Sequence, residues 1–312
     1  MSISQKQVLL HSSLLICTFL TTTLAGVQWL NQNPFELENF RAGLTYSALL
    51  LTFLLSHELG HYFAARAHRI DATLPYFLPF PAFLGLAPFG TFGAVIRLRE
   101  PVSSRRALFD IGAAGPVAGF IVTFAMLMTG FLTLPPKEYL YTIHPEYASM
   151  SSLPEGGLTF GNSLLYWILS EAVPSRTAFV PPMNELYHYP FLCVGWFGLL
   201  VTSMNLIPVG QLDGGHIASV LFPRHHHKIA QGSLISLMII GTLGALPLIG
   251  ISISFGWMGW IIWALILAIF LRARRSQQPV DLADEDLGRL RLNLGWFCVA
   301  IFLASFIPAP FF

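Results

Sequence analysis

Charge is what this chain has least of: 11% of its 312 residues are Asp, Glu, Lys or Arg, where a soluble domain of that length carries about a quarter. So few charges cannot cover a water-facing surface, which excludes a soluble globular fold. Neither sign dominates, and a formal net charge of +1 gives no sign of a nucleic-acid partner. Cysteine is scarce too. Cys17, Cys193 and Cys298 stand far apart in apolar runs, so neither a disulfide framework nor a CxxC metal knuckle is available, and each reads as a small buried apolar residue. Internal repeats and low-complexity tracts are missing. No small-x-small cleavage site follows the first apolar run, which is therefore read as a retained span and not as a cleaved signal.

What the chain has is apolar length: 54% of residues are hydrophobic. Uncharged runs long enough to cross a bilayer fall near 8–30, 43–65, 107–134, 191–222, 229–250, 253–271 and 292–310. They predict an all-α polytopic membrane protein with about six to seven transmembrane helices. Its single domain, 1–312, would have a core at about 43–222 and accessory spans at 8–30, 229–271 and 292–310. Between the second and third spans, Leu74 to Ile96 is apolar but holds four prolines and three glycines, which a straight helix does not tolerate. It is expected to be a re-entrant or interfacial element, in one form a β-hairpin, with strand-prone Phe92, Val95 and Ile96 offering an edge to an extended peptide.

Lysine and arginine collect on the cytosolic side of membrane proteins. With a cytosolic N-terminus, Lys6, Arg66, Arg69, Arg97, Arg99, Arg105, Arg106, Arg224, Lys228, Arg272, Arg274, Arg275, Arg289 and Arg291 all fall inside, which is fourteen of the 17 basic residues. Arg41, Lys137 and Arg176 remain outside. The loop at about 135–190 is then non-cytosolic, and it is short for an added folded module.

Into the second apolar run the sequence sets His57, Glu58 and His61, an HExxH pattern. Positions i and i+4 of a helix share a face, with Cβ atoms about 5–6 Å apart, so both imidazoles can reach one metal ion with the carboxylate beside it. The bland alternative is a pair of interfacial histidines with a snorkelling glutamate. Ionisable groups at membrane depth are costly, however, and mark function by default. A catalytic zinc site needs three protein ligands and one open position. Asp213 and His216 are the only titratable side chains within the fourth run, and their i, i+3 spacing does not choose between them. Depth allows the encounter: His61 is about 12 Å of helix from Arg69 and Asp213 about 16 Å from Arg224, on spans that run in the same direction.

The remaining conspicuous residues have plainer readings. The histidine run 225–227 within "RHHHK" reads as a solvated, positive cytosolic turn, and Asp110, near Arg105 and Arg106, as an interfacial ion pair. Gly115 and Gly119, spaced as GxxxG, read as a close packing face within the monomer. "DLADEDLGRLR" at 281–291 reads as an exposed linker. His68, His144 and His188 carry no spacing signal.

"HELGH" at 57–61 and "NLIPVGQLDGG" at 205–215 resemble the two motifs of the site-two protease family of intramembrane zinc metalloproteases. "FGTFGAVIRLR" at 89–99 and "DIGAAGPVAGF" at 110–120 are similar to that family's membrane-associated hairpin and small-residue third span. The resemblance covers about 50–220. It implies His57, His61 and Asp213 as ligands of one zinc ion (Zn2+) per chain, Glu58 as catalytic base and Asn205 as a substrate-engaging residue. Leu206 stands where the family often has proline. The chain lacks a PDZ insert and so resembles a bacterial and plastid branch, which implies a bacterial cytoplasmic or a plastid, thylakoid-type membrane. The implied partners are the lipid bilayer and single-span membrane protein substrates cut by regulated intramembrane proteolysis. Two rival functions are a membrane zinc transporter, which would want polar groups along a whole pathway, and an inert protease-like scaffold, against which the intact HExxH and Asp213 speak.

Overall fold

The computed structural model describes residues 5–82, 89–154, 156–251, 255–273 and 286–312. Part of the Pro- and Gly-rich segment, 83–88, and residues 281–285 of the charged linker lie outside that set. The architecture is mostly helical, with one small sheet. In chain order come α1 (Gln5–Trp29), α2 (Phe40–Ala67), β1 (Tyr76–Pro79), β2 (Thr91–Val95), α3 (Arg105–Leu132), α4 (Glu138–Ile143), α5 (Leu164–Ala172), α6 (Pro190–Leu206), α7 (Asp213–Leu221), α8 (His226–Ala245), α9 (Gly259–Ala273) and α10 (Gly288–Ser305).

Among the described residues, four helical stretches are long and apolar enough to cross a membrane: Gln5–Trp29, Leu37–Ala67, Arg105–Leu132 and His226–Ile249. Local signals set several ends. Ser104 caps α3 by accepting a hydrogen bond from the Ala107 amide, and Ser163 does the same for α5 through Tyr166. Pro190 opens α6, where its missing N–H costs nothing.

The fourth apolar run, expected as one span over 191–222, is two helices. Proline 208 removes a backbone donor and forces the residue before it out of the helical region: Ile207 sits at φ −57°, ψ 125°. Gly210 then turns the chain at φ 60°. The helix therefore ends without the proline that the family often carries at position 206. The restarted helix packs tightly on the broken one, since a Cβ on Gly214 would fall on the Leu206 carbonyl.

The Pro- and Gly-rich segment forms an antiparallel pair, with Tyr76 opposite Val95 and Phe77 opposite Ala94, and an irregularity before Pro79 pairs with Thr91. The hairpin packs against α1 and α2, and His11 of α1 bonds the Pro75 carbonyl at 3.0 Å.

At the centre stands α6, whose Leu192, Cys193, Val194, Trp196, Phe197, Leu199 and Leu200 are all buried. Around it the core gathers Phe53 of α2, Leu127 and Phe131 of α3, and Leu140, Phe160, Tyr166 and Leu186 of the 135–190 segment. That segment therefore packs into the core. The tail after α10 joins it: Gly161 donates to the Pro310 carbonyl, and Phe160 pairs with Phe311. A second cluster, including Phe109, Ala113, Ile217, Val220, Cys298 and Ile301, fixes α7 and α10 against α3.

Candidate metal centre

His57, Glu58 and His61 lie towards the C-terminal end of α2 and are all buried. One turn of helix brings the two imidazoles together, with Nε2 to Nε2 at 3.1 Å. Asp213 is the first residue of α7, so the break after Leu206 delivers it: its Oδ2 lies 3.3 Å from Nε2 of His57 and 3.4 Å from Nε2 of His61. A tetrahedral zinc with bonds of about 2.0–2.2 Å has ligand-to-ligand edges of about 3.3–3.6 Å. The three donor atoms are thus spaced as one face of such a polyhedron, and two imidazoles plus one carboxylate suit zinc chemically. His216 shares α7 with Asp213 but is not among these three clustered donors. Its Cβ faces Gly112 of α3 instead, 3.0 Å from where a Cβ at 112 would be.

Neighbours orient the ligands. Nδ1–H of His61 donates to the Ile111 carbonyl at 2.7 Å, which fixes the tautomer and turns the Nε2 lone pair toward Asp213. Asn205, in the last turn of α6, places Nδ2 3.4 Å from Nε2 of His57. The backbone at Ile96 lies near the Glu58 carboxyl, which sets the chain just after β2 beside the HExxH turn. Just beyond the centre, Asp110 accepts two bonds from Arg291 of α10, at 2.8 and 2.7 Å, and one contact of 2.7 Å from Nε2 of His68. The expected ion pair exists, but its partners come from α10 and the end of α2. Arg105 and Arg106 donate to the Val220 and Asp286 carbonyls.

The GxxxG glycines of α3 lie against the two histidine rings, a role their spacing did not announce. A Cβ on Gly115 would fall on the His61 ring, and one on Gly119 would come 3.2 Å from Nδ1 of His57. Gly115→Ala is therefore expected to lose most of its bound zinc, because the ring must leave its position. Gly119→Ala should lose far less, since a shift of a few tenths of an ångström accommodates it. Metal analysis of the purified variants measures this, and equal zinc content in the two would refute the ring contact as the reason for glycine at 115. The run 225–227, by contrast, lies at the exposed start of α8, where His226 bonds the Pro223 carbonyl at 2.8 Å.

Against known proteins, residues 45–249 match the model of "Peptidase family M50". The chain is 32% identical over 304 residues to "Probable zinc metalloprotease EGY2, chloroplastic" of Oryza sativa subsp. indica, covering 95% of this chain and 49% of that protein. It is 30% identical over 280 residues to the protein of the same name from Arabidopsis thaliana, covering 88% and 44%. It is also 30% identical over 202 residues to "Probable zinc metalloprotease EGY1, chloroplastic" of Oryza sativa subsp. japonica, covering 64% and 32%. The chain spans about half the length, or less, of these curated relatives.

Proposed function

The chain belongs to peptidase family M50, the site-two protease family of zinc metalloproteases, and from that premise we propose that it cuts peptide bonds within or beside the transmembrane segments of single-span membrane proteins. The observation that carries the proposal is the placement of the His57, His61 and Asp213 donors, 3.1–3.4 Å apart, on helices packed into an apolar core. Bound there, zinc would supply a Lewis acid for the scissile carbonyl and acidify a water to a pKa of about 7. Glu58 takes the proton from the attacking water and hands it to the leaving amine. Asn205, beside His57, holds the substrate backbone across the centre. The β2 strand, with Phe92 and Val95 exposed, takes the unwound substrate as a further strand, leading it toward Glu58 through Ile96. The gathering of His57, His61 and Asp213 around one point with Glu58 beside them favours this reading over a transport pathway.

Detergent-purified protein is expected to cleave members of a panel of single-span substrates and to stop when a zinc chelator is added. Cleavage that survives complete removal of the metal, or none of any panel member by zinc-loaded protein, would count against the proposal.

The same proposal includes the finer architecture. The α6–α7 pair, α9 and α10 complete six to seven spans, and the hairpin enters the membrane from the cytosolic or stromal side as a re-entrant element. The chloroplastic relatives favour a plastid-type membrane over a bacterial one. A labelling experiment tests the orientation after Cys17 is replaced, since it is exposed and not buried as its apolar setting suggests. Cysteines at Arg69 and Arg224 should react only with reagent on the cytosolic side, and one at Ser152 only from the opposite side. Labelling of position 152 from the cytosolic side would invert the topology.

A further inference from the structure

A second group of ligand-type side chains lies in the segment between α3 and α6. His144 directly follows α4; Glu185 precedes, and His188 ends, a short 3-10 turn, Leu186–His188, that leads into Pro190 at the start of α6. Nε2 of His144 lies 3.0 Å from Nε2 of His188, and Oε2 of Glu185 lies 3.4 Å from that same His188 nitrogen. All three ligand atoms fall within 4.8 Å of one another. Two of these spacings, 3.0 and 3.4 Å, are close to those at the His57, His61 and Asp213 centre and to the edges of about 3.3–3.6 Å around a tetrahedral ion.

Burial makes the arrangement difficult to explain by hydrogen bonds alone. His188 is fully buried and Glu185 is 1% exposed, yet Oε2 of Glu185 has no hydrogen-bond partner. One N–H between the two imidazoles satisfies their facing nitrogens and leaves both the carboxylate oxygen, aimed at the same point, and Nδ1 of His188 unsatisfied. A single cation would engage all three atoms. Outer partners hold Glu185 and His144, as they do in metal sites, while the His188 ring keeps Nδ1 without a partner. The Tyr147 hydroxyl donates to Oε1 of Glu185 at 3.0 Å, Glu146 lies 3.3 Å from Nδ1 of His144, and the Tyr139 hydroxyl donates to the His188 carbonyl at 2.9 Å.

We propose that His144, Glu185 and His188 form a second metal site for zinc or another first-row divalent cation, a clip between the segment after α4 and the start of the central helix α6. Two imidazoles and one carboxylate are the donor set that such ions take. The site is independent of the catalytic reading, and it replaces the expected one ion per chain with two.

The test is metal stoichiometry. Full-length protein in detergent, stripped by chelator and reloaded with zinc, is expected to hold two ions per chain. His144→Ala is the first variant because His144 is the least buried of the three ligands. Glu185→Gln is the second, because glutamine keeps the size and can still accept from Tyr147. Each should hold one ion, as should a protein carrying both His57→Ala and His61→Ala, and adding His144→Ala to that protein should bring the count to zero. Cobalt(II) loading gives an independent readout, since each tetrahedral site adds its own visible absorption. One ion in the wild type, lost in the His57/His61 variant and kept in His144→Ala, overturns the second site and leaves the catalytic one standing. One ion kept in the His57/His61 variant and lost in His144→Ala supports the second site and overturns the catalytic ligand set. Two ions in both His144→Ala and Glu185→Gln would also reject the proposal.

Discussion

Glu58→Gln is expected to bind zinc as the wild type does and to cleave substrate roughly 10²- to 10⁴-fold more slowly, the span that a positioned acid–base group contributes. Glutamine keeps the length and shape of the side chain, so the HExxH turn and the chain after β2 beside it keep their places. What it loses is the capacity to take a proton. Metal analysis and single-turnover cleavage of the same preparation separate the two effects. If the variant cuts at near the wild-type rate, proton transfer belongs to another group. If it loses zinc, Glu58 supports the ligands instead of acting on the water.

Asp213→Ala should abolish cleavage and release most of the zinc from the centre, whereas His216→Ala should keep the ion and lose no more than about 10- to 100-fold in affinity or rate, as partners outside the ligand set do. Geometry supplies the ranking, because Asp213 meets both histidine Nε2 atoms at 3.3 and 3.4 Å while His216 faces Gly112. Charge works in the same direction. A carboxylate on zinc reduces the net charge held in a low-dielectric interior, which makes the bound ion less costly than three neutral imidazoles would. Metal content of the two variants after equal dialysis decides it. An inactive, zinc-free His216→Ala beside an active Asp213→Ala would transfer the third ligand to the imidazole.

How far the sequence disclosed this structure depends on how local each signal is. His57 and His61 were legible because i, i+4 spacing on a helix is a geometric statement in itself. Asp213 was legible as one of two candidates, and the structure adds what its spacing withheld: Pro208 ends α6, and the restart at Asp213 turns that side chain into the centre. Gly115 and Gly119 announced close packing without naming the imidazoles as what they pack on. The His144, Glu185 and His188 cluster left no trace, since its members lie on either side of a long segment whose path is set by core residues such as Phe160 and Tyr166. Asp110 shows the same limit: its arginine partner lies 181 positions away, beyond any periodicity.

The approach of α3 to the histidine rings also says something about the solvent in which such a site can exist. Gly112, Gly115, Pro116 and Gly119 all fall on the stretch of α3 that faces the centre. Relative to alanine, three glycines and a proline cost roughly 6 kcal/mol of helix propensity, and an exposed peptide of that composition would unwind in water. Hydrocarbon reverses the balance, because an unwound backbone there has no water to bond and each bare amide costs several kcal/mol. The bilayer thus enforces the helix while the glycines clear room for the imidazoles. That division of labour is closed to a water-soluble enzyme, which must find its helix stability in the very residues that this chain leaves without side chains.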